Sequence, residues 1–116
     1  MAKENPVQIV EKNEGTKIEF EQSGKKLFFG DDEIMVNAAK YQREYPVHLD
    51  VCANKDQNLV IGVGEGTYYV AQVDIPAIEY TETEAEGETV REALPLDMGD
   101  VIVTLWSIDD LTPTNT

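Results

Sequence analysis

The feature that most constrains this chain is the rhythm of its β-branched residues. Val and Ile number 20 against 7 Leu, and they fall in short alternating runs broken by clusters of Gly, Asn, Asp and Ser. Branched side chains are stiff at χ1 and pack well on a pleated surface, so the runs predict strands and the breaks predict turns. The runs are PVQIVE (6–11), TKIEFEQ (16–22), KKLFF (25–29), PVHLDVCA (46–53), NLVIGV (58–63), TYYVAQVDI (67–75), VREALPL (90–96) and DVIVTLWSI (100–108). In TKIEFE, Ile18 and Phe20 share one face and Lys17, Glu19 and Glu21 the other, as in an antiparallel strand wet on one side. The expected fold is mainly β, a single antiparallel β-sandwich or partly open barrel of about eight strands, with residues 1–116 forming one domain.

Three segments break the rhythm. In residues 31–45, Asp32 could cap a helix carrying Ile34, Ala38, Tyr41 and Tyr45, but Ile34 and Val36 alternate, which predicts a strand over 33–38 and an irregular connection after it. Residues 79–92 hold six glutamates and one arginine with almost no large apolar side chain. Such a segment cannot offset its ordering entropy by burial, so a mobile acidic loop is expected. A disordered tail is expected at 112–116.

Charge narrows the partners. Residues 1–45 carry nine acids and seven bases, whereas residues 46–116 carry fourteen acids and only Lys55 and Arg91. A surface so poor in Lys and Arg repels polyanions, which argues against direct binding to nucleic acid or an anionic membrane. No leader-like apolar stretch opens the chain, no run is long enough for a membrane helix, and Cys52 is the single cysteine, so a cytoplasmic protein is expected.

The motifs that suggest chemistry have plainer explanations. Gly62, Gly64 and Gly66 follow an apolar run, but a dinucleotide loop needs a different spacing and a helix behind it, and TYYVAQVDI is a strand; the glycines read as a turn and a bulge. Asn54, Asp56, Asn58 and Glu65 match calcium-loop positions 1, 3, 5 and 12, yet the obligatory glycine is replaced by Leu59. VHLDVC puts His48, Asp50 and Cys52 on one strand face, with His48 and Cys52 roughly 13 Å apart, too far for a dyad. One His and one Cys cannot build a zinc site. No catalytic residue, metal or cofactor is expected.

DVIVTLWSI is apolar on both faces, with Val101, Val103 and Leu105 on one and Ile102, Trp106 and Ile108 on the other. The second face is expected to pack under residues 38–45, or alternatively to meet a partner subunit in a homo-oligomer. The expected function is a non-enzymatic binding or accessory domain acting through protein contacts. Its interaction surface would comprise Ile102, Trp106 and Ile108 together with Glu82, Glu84, Glu86 and Glu88. Two alternatives remain: an acidic nucleic-acid mimic filling the basic groove of a DNA- or RNA-binding protein, and an enzyme using two of Asp50, Glu65, Asp74 and Asp97 as general acid and base.

Overall fold

A computed structural model of the chain describes residues 5–31, 33–56, 58–63 and 67–109, with the backbone of 112–113. Strands dominate, in the order β1 (Gln8–Glu11), β2 (Phe20–Ser23), β3 (Lys26–Phe29), β4 (Ile34–Asn37), β5 (Val47–Ala53), β6 (Leu59–Ile61), β7 (Tyr68–Ile75), β8 (Tyr80–Ala85), β9 (Glu88–Ala93), β10 (Ile102–Leu105) and β11 (Thr112–Pro113). One helical turn, α1 (Ala38–Tyr41), follows β4, and a 3-10 turn spans Met98–Asp100. No helix among the described residues is long and apolar enough to cross a membrane.

The strands form three sheets, and none closes into a barrel. The largest has the order β1-β10-β7-β5-β6, with β11 also on β7; β2-β3-β4 make a second sheet and β8-β9 a third. The expectation of one sandwich of about eight strands is thus met only in its β character. Two physical choices account for the difference. Tight turns at Gly24 (φ +60°) and Gly30 (φ +65°) close β2, β3 and β4 on themselves, and β1 pairs in parallel with the distant β10, which no hairpin reading foresees.

One core lies between the first two sheets. Leu27, Phe29 and Val36 of the small sheet meet Val51, Ala71, Val73, Ile75, Val101, Val103 and Leu105 of the large one. The period of two then decides what stays outside: His48 and Asp50 on β5, Gln72 and Asp74 on β7, and Ile102 and Thr104 on β10 occupy the opposite face of the large sheet. At the β6 edge Glu33 accepts the Leu59 N–H at 2.5 Å, so a donor that would invite another strand is already satisfied.

The acidic segment at 79–92 is a hairpin instead of a structureless loop. Tyr80–Ala85 pairs with Glu88–Ala93 around a two-residue turn, Glu86 (φ 54°) and Gly87 (φ 80°), whose paired positive φ values suit the twist of a tight hairpin. Burial does not hold it, because β9 is exposed throughout and β8 everywhere except Tyr80. The Arg91 guanidinium stacks 3.8 Å from the centre of the Tyr80 ring, and the Tyr80 hydroxyl donates to Glu44 at 2.7 Å, tying the base of the hairpin to the body. That bond, first, pushes the Tyr80 phenol above its usual range.

Three other expectations change. Of the tail, Thr112 and Pro113 pair with Tyr69 and Tyr68, while 114–116 lie outside the described residues. The strand expected over 33–38 is β4, and Ala38 begins the helical turn, with Asp32 outside the described residues. Residues 38–45 do not cover the second face of β10. Ala38 and Tyr41 join the core, Gln42 donates to the Pro76 and Ala77 carbonyls, and the Arg43 carbonyl accepts the Ile78 N–H.

Candidate functional site

The open face of the six-stranded sheet carries a cross-strand side-chain network. His48 sits half exposed on β5, with Nδ1 2.6 Å from Asp74 Oδ1 on β7 and Nε2 2.8 Å from Asp50 Oδ1 on its own strand. Pairing of His48 with Asp74 and of Asp50 with Gln72 in the β5–β7 ladder brings these side chains together. Gln72 Nε2 donates to Asp50 Oδ1 at 2.9 Å, and Gln72 Oε1 accepts from Trp106 Nε1 at 3.0 Å. The chain of contacts runs from Asp74 through His48, Asp50 and Gln72 to Trp106, across three strands. The Asp74 hydrogen bond, first, lifts the His48 pKa above the ordinary 6.5; burial opposes it, and the Asp50 bond adds to the rise.

An aromatic pair ends the network. The Tyr69 and Trp106 rings stack with centroids 4.9 Å apart at 19°, and the Lys12 ammonium lies 5.5 Å from the Trp106 centroid. A β-bulge makes the stack. Val51 pairs with Ala71 but Cys52 pairs with Tyr69, so Val70 is the extra residue and the alternation of β7 shifts by one. Strict alternation from Gln72 would put Val70, not Tyr69, on this face.

The end of β10 is clamped. The strand stops at Leu105, Trp106 N–H adds one more bond to the Val70 carbonyl, and Ser107 turns inward, 1% exposed. Its N–H donates to Asn13 Oδ1 at 2.6 Å, Ile108 N–H donates to the Thr16 carbonyl at 2.8 Å, and Thr16 N–H donates to Asp109 Oδ2 at 2.7 Å. The backbone bond from Thr16, first, holds Asp109 below the usual carboxylate range.

Several residues singled out from the sequence are brought together, and others are not. Ile102 and Trp106 share the open face; Ile108 is exposed but belongs to the clamp. His48 and Asp50 share it too, with Cys52, whose thiol is fully buried and pushed up to about 11, chiefly by burial and then by Asp50. A thiol held that firmly protonated is no nucleophile at neutral pH. Asp97 caps the 3-10 turn by accepting from Gly99 N–H and from Asn5, whose side-chain bond, first, lowers its pKa. Glu65 lies outside the described residues, as do Gly64 and Gly66. Glu82 and Glu84 lie on one face of the hairpin and Glu88 on the other, with Glu86 in the turn. Gln72, Tyr69 and Lys12 were not anticipated; for Gln72 the signal is the alternation in YVAQVD, which puts it beside Asp74.

Both imidazole nitrogens are occupied, and two cavities among the described residues lie away from this face: one of about 440 Å³ at Glu19, Phe20, Glu21, Phe28 and Asp31, another of about 340 Å³ at Gln42, Pro76, Leu94 and Asp97. No group of three His, Cys, Asp or Glu among the described residues could hold a metal ion. No known family, curated protein or solved structure matches the chain.

Proposed function

We infer that the chain is a non-enzymatic binding domain that holds a protein partner against the open face of its six-stranded sheet. One observation carries the reading: the face opposite the core holds an ordered Trp106–Tyr69 stack whose indole N–H is bonded to Gln72, itself bonded to Asp50. A partly buried Trp, stacked on Tyr69 and bonded to Gln72 at the end of β10, loses little side-chain entropy on contact, which is what an interface anchor needs. Cys52, buried and free, suits a reducing compartment such as the cytoplasm.

The experiment is capture from the native host with wild-type and Trp106→Ala baits, partners identified by mass spectrometry and their affinities measured. Trp106→Ala should weaken the partner by about 30-fold or more, corresponding to roughly 2 kcal/mol, with its circular dichroism intact. A folded Trp106→Ala protein with every partner at wild-type affinity would refute the reading.

The mimic remains second, favoured by the exposed glutamates of the hairpin. Its carboxylates divide between two faces and so do not form one phosphate-like row. A partner lost steeply as salt rises, and lost equally on replacing the hairpin, would promote it. An acid–base pair of Asp50 and Asp74 ranks third, because His48 bridges them on an open face outside any cleft.

A further inference from the structure

His48 is engaged at both ring nitrogens at once. Asp74 Oδ1 lies 2.6 Å from Nδ1 and Asp50 Oδ1 lies 2.8 Å from Nε2. A neutral imidazole has one N–H, so it can satisfy only one of these carboxylates and must turn a lone pair toward the other. Both contacts attract together only in the imidazolium, whose two N–H groups each meet an anion. The two distances suit the imidazolium, and loss of one proton removes one of the two attractions.

The neighbours specify which. Gln72 Nε2, which donates to Asp50 Oδ1 at 2.9 Å, already stands 3.4 Å from His48 Nε2. Nδ1 has the shorter carboxylate contact and keeps its proton. We propose that loss of the His48 Nε2 proton draws the Gln72 amide closer to the imidazole, releasing the His48 bond to Asp50 and shifting the Gln72 oxygen that holds Trp106. The amide group is planar and rigid, so Nε2 cannot move without Oε1, which accepts from Trp106 Nε1 at 3.0 Å. A proton on β5 is thereby read two strands away on β10. For its significance the switch rests on the reading of this face as the binding surface: a partner meets Asp50 paired with an imidazolium in one state and without that cation in the other.

The titratable groups around His48 are few. Its own strand contributes Asp50 and Cys52, β7 contributes Tyr69 and Asp74, and Lys12 stands at the Trp106 end. β6 pairs with β5 only along Val51–Ala53 and brings Leu59, Val60 and Ile61, none of them charged. With Cys52 pushed up to about 11, its thiol stays protonated through neutrality, and the change falls to His48, above pH 6.5.

The chain has one His and one Trp, so NMR of the tag-free, uniformly 15N-labelled protein reads both ends of the switch without ambiguity. The imidazole nitrogens should titrate with a midpoint above pH 6.5, the neutral form should carry its proton on Nδ1, and the Trp106 indole N–H should shift with the same midpoint. Asp50→Asn should lower that midpoint, since one of two anionic partners is lost. Gln72→Met should leave the His48 titration in place and abolish the Trp106 response. A midpoint at or below 6.5, a neutral form protonated on Nε2, or an indole signal indifferent to His48 overturns the proposal. Because the titration needs no partner, it can succeed while capture by Trp106→Ala stays at wild-type strength. The switch then stands and the binding-face reading fails.

Discussion

Gly15 is the residue whose replacement should reveal how the end of β10 is held. It sits at φ +126°, a conformation that side chains rarely adopt, and a Cβ added there would overlap Ser107 Oγ and approach Asp109 Oδ2 to 3.2 Å. Neither neighbour can yield cheaply. Ser107 is buried and fixed by Asn13, and the Asp109 carboxylate is fixed by the Thr16 N–H. Backbone strain of roughly 1–3 kcal/mol and the forced displacement of Ser107 together put Gly15→Ala at about 3 kcal/mol. With an unfolding entropy of roughly 2.1 cal/mol/K per residue, each kcal/mol lowers the Tm of a chain this long by about 4 °C, so a fall of about 12 °C is expected. Gly24→Ala is the control, for Gly24 also has positive φ, +60°, but nothing lies within 4 Å of the added methyl. It should lose about 1 kcal/mol, or about 4 °C, from strain alone. Differential scanning calorimetry of both variants checks this. If they melt within 2 °C of each other, roughly 0.5 kcal/mol, then Ser107 gives way freely and the clamp holds nothing.

Replacing residues 81–92 by a Gly-Ser-Gly linker should lower the Tm by less than about 4 °C, because an isolated two-stranded hairpin adds little stability; a larger loss would make it structural. Trp106→Glu should stay folded and lose about 2 kcal/mol with the Tyr69 stack and the Gln72 bond, measured by urea denaturation; an unfolded product would mean that the face is internal core. For His48 the folded pKa lies above the unfolded 6.5, so its stabilisation is full below pH 6.5 and is lost as pH rises through the folded value. The gap in urea midpoint between wild type and His48→Gln should therefore shrink from pH 6 to pH 9, and a constant gap would contradict the paired imidazolium.

Local rules carried the strand reading far. Ile18 and Phe20 of TKIEFE pack on the core, although β2 begins only at Phe20 and the Lys17 side chain is nearly buried, and PVHLDVCA is met by His48 and Asp50 on the outer face. What lies across strands was not legible. Placing Asp74 against His48 needs the β5–β7 register, and placing Tyr69 against Trp106 needs a bulge that no local signal marks. The hairpin was misread for a different reason: six glutamates outweighed the alternation of Thr81, Thr83 and Ala85 and the Glu86–Gly87 turn, although cross-strand pairs can order a strand that buries nothing. The two-sided look of DVIVTLWSI came from reading Trp106 and Ile108 as one strand, when the chain turns inward at Ser107 between them.

The parallel pairing of β1 with β10 sets a timetable for folding. Gln8 meets Ile102 and Glu11 meets Leu105, so an early strand of the chain waits for a late one. At roughly 5–20 residues per second, synthesis leaves Gln8–Glu11 without its partner for on the order of 5–20 s after it is made. Through that interval Ile9 and Val10, still 47% and 46% exposed in the finished fold, have no ladder to join. The β2-β3-β4 meander, the β5–β6 hairpin and the pairing of β7 with β5 need only nearby residues and can form meanwhile, leaving β1 to dock last at the cost of closing a long loop. A chain arranged this way meets its greatest risk of wrong pairing before β10 is complete, and the strand most open to it is the first one made.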